Sequence, residues 1–231
     1  MKGIILAGGL GRRMMPFTRW AHKVVLPVYD KPVIYFPINT LKQAGIEDIV
    51  ICTNVPEQIQ AVLSEEELKV NLTYVLEPNP GSGNGRALYA AKERIRDQPV
   101  LLILGDIYLG SGIRLPTDTE NATVYVSPSL TPESGVVEIS PTGGVLSFEE
   151  KPTKPKGKHV HIGVTFYPKD LIDLIESEDL KDATLVTDVS NAFVRSGRLN
   201  AIIYSGLWFN INTPEDLYKV AEYRRTDVRG L

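Results

Sequence analysis

The residues best placed to do chemistry begin at Gly8-Gly9-Leu10-Gly11-Arg12-Arg13, directly after the apolar run Gly3 to Ala7. Glycines in such a turn let backbone N–H groups close on an anion with no Cβ in the way, and two arginines add positive charge, which is the make-up of a phosphate cradle. The spacing excludes two better-known phosphate loops. No second glycine is followed by Lys-Ser or Lys-Thr at the Walker A distance, and a dinucleotide fingerprint started at Gly9 and Gly11 requires Gly or Ala at position 14, which is Met14. Lys23 precedes the apolar segment Val24 to Leu26, from which its ammonium can reach back over the glycine loop. Gly105-Asp106 closes the most apolar run of the chain, Val100 to Leu104. A carboxylate there suits Mg²⁺, which prefers hard oxygen donors, few of them from protein. Asn210, in Trp208-Phe209-Asn210-Ile211-Asn212-Thr213, offers a second oxygen at another junction between strand and helix. In Glu149-Glu150-Lys151-Pro152 a carboxylate that can accept sugar hydroxyls stands beside an ammonium that can neutralise a phosphate. Plain structural readings stand beside these: a turn with solvated arginines, a surface lysine, an Asp capping a turn, a solvated charged hairpin. His22 shows neither a partner carboxylate nor a metal-ligand spacing and is assigned a structural or rim position.

These groups must be held by a scaffold, and the first half of the chain supplies one. The apolar runs Gly3–Ala7, Ile49–Cys52 and Val100–Leu104 lack the period-two alternation of a strand with one wet face, so they read as buried parallel strands. Helices are expected over about Val33–Gln43, stopped by Gly45, and about Asn84–Arg96. The resulting βαβαβ order implies a parallel sheet covered on both faces, with ligands beyond the carboxyl ends of its strands. The loops after Ala7 and Leu104 both lie there. From about Thr123 the strand candidates are shorter: Thr123–Ser127, Val136–Ser140, Val145–Glu149 and Ile162–Tyr167, read as a β-rich region over the same sheet. Helices follow near Lys169–Ile175 and Thr187–Ser196, the latter with Thr187 or Asp188 as cap, and a last one opens at Thr213-Pro214-Glu215-Asp216.

With 231 residues, 43% hydrophobic and 23% charged, the chain fits one packed domain spanning 1–231. A net charge of −3 gives no bulk attraction to nucleic acid or anionic membrane. The single cysteine, Cys52, excludes an internal disulfide and any metal site built from cysteines. The apolar stretch near Met1 is too short for a signal-peptide core or a membrane span, so a cytoplasmic location is expected. Arg224, Arg225 and Arg229 read as charges favourable to a helix end.

Taken together, the segments GIILAGGLGRRMMPFT, HKVVLPVYDKPVIYFPINTL, LLILGD, GVVE, SFEEKPTKPK and LWFNINTPEDL resemble the sugar-1-phosphate nucleotidylyltransferases, most closely the glucose-1-phosphate thymidylyltransferases. The resemblance runs from residue 3 to residue 217 and implies a three-layer α/β/α Rossmann-like fold with a mixed central sheet. It implies that Gly8, Gly9, Gly11 and Arg12 bind the triphosphate, with Arg13 on the departing pyrophosphate and Lys23 near the α-phosphate. Asp106 and Asn210 would hold Mg²⁺, Gly135 and Glu150 the sugar, and Lys151 its phosphate. Glu77 stands where the thymidylyltransferases place a base-reading glutamine, and the stretch from Glu77 through Gly83 to Gly85 is expected to contact the base. Arg86 stands at a position usually small in the family and is either a phosphate contact or an outward projection. The implied substrates are a nucleoside triphosphate, dTTP or UTP, and a sugar 1-phosphate such as glucose 1-phosphate. The oligomeric state is open, a homo-oligomer included.

Overall fold

The computed structural model describes residues 1–64, 68–77, 81, 83–128 and 135–229, the last three of these as backbone alone. The strands are β1 (Lys2–Leu6), β2 (Pro27–Val28), β3 (Lys31–Pro32), β4 (Asp48–Thr53), β5 (Asn71–Leu76), β6 (Val100–Leu104), β7 (Ile107–Leu109), β8 (Ala122–Ser127), β9 (Gly135–Ile139), β10 (Val145–Glu150), β11 (His159–Tyr167), β12 (Leu199–Ile203) and β13 (Trp208–Asn210). The helices are α1 (Tyr35–Gln43), α2 (Pro56–Val62), α3 (Asn84–Ala90), α4 (Lys92–Ile95), α5 (Leu171–Ser177), α6 (Val186–Arg195) and α7 (Pro214–Arg229).

The three runs read as buried strands form the parallel centre of a sheet that has nine strands among the described residues, with β1 between β4 and β6. Their register brings Leu6 level with Cys52 and Leu104, so the loops that follow β1 and β6 leave from one edge. The shorter strands do not form a layer over this sheet. They extend it: β11 pairs antiparallel with β6, β9 and β10 continue beyond it, and β8 joins β11 to β12. The sheet is therefore mixed. The strand β5 has no counterpart in the apolar pattern. It is an edge strand whose residues are mostly half-exposed, so no solid apolar run marks it.

Alternate residues of β1 enter opposite faces of the sheet. Ile4 and Leu6 pack with Leu88, Ile172 and Phe193 of α3, α5 and α6, whereas Ile5 packs with Ile34, Ile38 and Leu41 around α1. This gives the three layers. A third cluster joins Leu217 and Val220 of α7 to Phe36, Tyr108 and Val28, tying the last helix to the first half of the chain. The helix expected over Asn84–Arg96 is broken at Ala91 into α3 and α4, and α1 begins at Tyr35 rather than Val33. Thr187 does not cap α6. Asp188 reaches back to the Leu185 N–H at 3.0 Å, and Thr187 turns its hydroxyl elsewhere. Among the described residues, no helix is long and apolar enough to cross a membrane.

Candidate active site

The glycine loop leaves β1 at the carboxyl edge of the sheet. Gly11, in a left-handed conformation, opens a tight 3₁₀ turn over Arg12–Met14, and the Thr18 hydroxyl donates to the Gly11 carbonyl at 3.0 Å. Met14 is fully buried and anchors the turn, while Arg12 and Arg13 stand exposed at its outer side. Gly8 is required by close approach: a Cβ there would lie 1.4 Å from Oε2 of Glu77. Glu77 comes from the end of β5, where its N–H donates to the Thr53 carbonyl at 3.0 Å. It is only 6% exposed, and its Oε2 has no hydrogen-bond partner among the described residues. Burial pushes its carboxyl pKa up, against the opposing pull of the Gly81 backbone N–H.

Across the loop, Lys23 is buried and its Nζ donates to Oδ2 of Asp106 at 2.5 Å and to Oδ1 of Asn212 at 3.2 Å. Asp106 is held by the small sheet of β7 and β13, in which Asn210 pairs with Ile107 and the Ile211 N–H donates to the Asp106 carbonyl at 2.8 Å. Two segments far apart in sequence are thereby clamped side by side. Asn210 and Asn212 flank the fully buried Ile211, the alternation that puts the two amides on one side of an extended segment. The motifs give Asn212 no role, although this alternation is a signal that could find it.

Oδ1 of Asn210 is buried without a hydrogen-bond partner among the described residues. A buried amide oxygen left unpaired is costly, and a cation would satisfy it. Asp106 and Asn210 fit Mg²⁺ in donor chemistry: one carboxylate, one amide oxygen, and room for phosphate oxygens and water. Among the described residues, no group of three or more His, Cys, Asp or Glu could hold a metal by itself. Substrate oxygens must complete such a site.

A second pocket is built by β9, β10, β11 and α6. Gly135 lies so close to Phe148 that a Cβ would stand 2.6 Å from its ring and 3.3 Å from Oε2 of Glu150. That same Oε2 accepts the Thr187 hydroxyl at 3.2 Å, and Nζ of Lys151 lies 3.8 Å from Oε1. Thr187 and His161, neither of them named by the motifs, thus belong to this wall. The larger cavity, about 680 Å³, is lined by the glycine loop, Lys23, Glu77, Gly83 and Asp106, and the smaller, about 260 Å³, by Gly135, Glu150 and Asn210. Arg13 and Lys151 line both. Every residue singled out as a site residue therefore lines one of two adjoining cavities.

Other candidates are placed elsewhere. Arg86 lines neither cavity, and its Nε donates to the Asp182 carbonyl at 3.3 Å. His22 lines the larger cavity, with Nδ1 accepting the Val24 N–H at 3.4 Å and Nε2 buried without a hydrogen-bond partner among the described residues. Arg224 pairs with Asp30 and Arg225 with Glu222, so both act through ion pairs beyond any effect on the helix end. The side chain of Arg229 and residues 78–80 and 82 of the base-contacting stretch lie outside the described residues.

A phosphate-cradling loop, a buried Lys–Asp pair and a second polar pocket, all at the carboxyl edge of a mixed three-layer sheet, define a nucleotide-handling α/β enzyme. Residues 2–226 match the model of the family described as nucleotidyl transferase, and the chain belongs to that family. Within it the chain is 34% identical to the glucose-1-phosphate thymidylyltransferase of Neisseria meningitidis and 33% identical to that of Mycobacterium tuberculosis, each over 98% of this chain and 83% of the relative. A solved Bacillus anthracis protein, assigned as a glucose-1-phosphate thymidylyltransferase and crystallised with a sucrose, superposes with a TM-score of 0.89 at 29% identity, over 97% of this chain and 95% of that one.

Proposed function

We propose that this enzyme transfers a nucleotidyl group from dTTP or UTP to glucose 1-phosphate, releasing pyrophosphate and forming a nucleotide-sugar, with Mg²⁺ held by Asp106 and Asn210. The observation that carries this reading is the junction of the two cavities at Arg13 and Lys151. Each cavity has groups suited to one substrate, and the shared cations stand where the two sets of phosphates must meet.

The chemistry needs no protein nucleophile. A sugar phosphate oxygen is already ionised at neutral pH; it attacks the α-phosphorus, a new P–O bond forms, the α–β P–O bond breaks, and its electron pair leaves on pyrophosphate. Gly8, Gly9 and Gly11 offer backbone approach to the triphosphate, with Arg12 alongside and Arg13 on the leaving pyrophosphate. Lys23, steadied by Asn212, neutralises charge near the α-phosphate. Mg²⁺, when bound, supplies electrostatic stabilisation of the phosphoryl charge. Glu150, oriented by Thr187, accepts sugar hydroxyls, and Lys151 faces the sugar phosphate. Glu77 and Gly83 serve the nucleotide. A protonated Glu77 presents one donor and one acceptor, the pair required by the N3–H and a carbonyl of uracil or thymine, whereas the ionised form only accepts. Nothing in the charge or topology favours nucleic acid or membrane as a partner, and we assign the enzyme to the cytoplasm as a single catalytic domain divided near residue 122 between nucleotide and sugar-phosphate functions.

The test is pyrophosphate release with Mg²⁺ over a grid of five nucleoside triphosphates against several sugar 1-phosphates. Release that requires both substrates, highest with dTTP or UTP and glucose 1-phosphate, is the expected result. Silence over the whole grid from folded protein would overturn the reading.

A further inference from the structure

We propose that His161 is a specificity-determining residue of the smaller cavity, its Nδ1 accepting a hydrogen bond from one hydroxyl of the pyranose. The inference rests on the reading of that cavity as the sugar pocket. His161 lies on β11, where pairing with β8 shifts register between His161 and Thr165. Its Nε2 bridges that irregularity, 3.0 Å from the Val164 carbonyl and 3.0 Å from the Thr165 hydroxyl.

A carbonyl oxygen can only accept. Nε2 must therefore carry the proton, and in a neutral ring Nδ1 is then an acceptor. Burial supports the neutral form by holding the pKa down at about 4, against the opposing pull of the Val164 carbonyl. The ring is fixed from the side by Phe148, edge to face at 5.2 Å between centroids, and Phe148 is itself the ring that closes over Gly135. Bridging the register shift uses only Nε2. The other nitrogen has no partner among the described residues, and the partly buried ring lines the cavity beside Glu150 and Thr187.

Besides the Glu150 carboxylate and the Asn210 amide oxygen, which the proposed metal would take, the pocket thus holds a rigid, uncharged ring acceptor. Its complement is a hydroxyl that donates. A ring position bearing no donor leaves Nδ1 dehydrated and unpaired, the situation in which hydrogen-bonding sites reject an analogue most strongly.

The experiment measures kcat/KM for glucose 1-phosphate and for each analogue lacking one ring hydroxyl, in the full-length wild type, His161→Leu and His161→Gln. At one ring position the wild type is expected to lose about ten-fold or more on deoxygenation. His161→Leu should have lost that discrimination, through a raised KM for glucose 1-phosphate with the KM for the nucleotide unchanged, and His161→Gln, which keeps an acceptor, should restore part of it. Identical deoxy-sugar profiles in wild type and His161→Leu would overturn the proposal, as would equal rises in both KM values with a lowered Tm, the signature of a residue that only bridges the strand irregularity. Should the variants fail to fold, imidazole ¹⁵N spectra of the wild type decide: glucose 1-phosphate must shift Nδ1 of His161, and an unmoved resonance contradicts the proposal. Wild-type inactivity with every sugar phosphate would bring down the transferase reading itself. Activity with unchanged discrimination would bring down only the role of His161.

Discussion

At the scale of single residues, the site sets a buried ion pair beside polar atoms, Oε2 of Glu77 and Oδ1 of Asn210, that are unpaired among the described residues. Asp106 is held 2.5 Å from Lys23, and beside this pair Oδ1 of Asn210 is buried and unpaired among the described residues. Loss of one such preorganised group typically costs roughly 10²–10³ in turnover, and Asp106→Ala is expected to lose that much or more in pyrophosphate release while remaining folded by circular dichroism. Glu77 yields a pH prediction with a definite sign. Its carboxyl pKa is raised by burial, and only the protonated form can both donate and accept, as the proposed reading of thymine or uracil requires. The KM for dTTP or UTP should therefore rise as pH climbs through that raised pKa, and Glu77→Gln, which donates and accepts at any pH, should flatten the profile. A pH profile of KM for both proteins checks it. Much of this residue set is legible in the sequence, because glycines and carboxylates that end apolar runs announce themselves at a sheet edge. Asn212 is signalled only by its alternation with Asn210 about Ile211, and Thr187 and His161 are not legible, since each acts through a partner or a pocket wall supplied by a distant element.

At the scale of elements, the junction between β13 and α7 fixes the second half of the proposed metal site. Oδ2 of Asp216 accepts the N–H groups of Asn212 and Thr213, while the Thr213 hydroxyl accepts the Asp216 N–H at 3.2 Å. Such a reciprocal cap is worth about 1 kcal/mol, so Thr213→Ala should lower stability by about that amount in urea denaturation. Because the cap also pins Asn212, Asp216→Ala should reduce turnover under conditions where the variant is fully folded. Arg86 makes the opposite case. It joins α3 to the 179–185 segment through a partly exposed ion pair, so Arg86→Ala should leave turnover within about two-fold and stability within about 1 kcal/mol. The start of α7 is legible from Thr213-Pro214-Glu215-Asp216 because capping chemistry is local. The break between α3 and α4 at Ala91 is not, since Asn84–Arg96 carries helix formers through its middle and no Pro or Gly marks the division.

At the scale of the whole molecule, one sheet serves both halves of the site. The central parallel strands deliver the glycine loop and Asp106, and β11, inserted between β6 and β9, brings the strands of the second pocket alongside. Phe193 is fully buried where α6 packs on this sheet, so Phe193→Ala should cost about 3–5 kcal/mol in equilibrium unfolding. Apolar runs foretell the central strands and their parallel order. The extension of the same sheet by the later strands is not readable, because short strands separated by turns fit a separate layer as well as a continuation, and only long-range pairing decides between them. The most direct test of the central claim is a ³¹P NMR time course of dTTP, glucose 1-phosphate and Mg²⁺ with the enzyme. A nucleotide-sugar and free pyrophosphate should grow in equal amounts, only when both substrates are present. Cleavage of dTTP without glucose 1-phosphate, or release of inorganic phosphate in place of pyrophosphate, would contradict it.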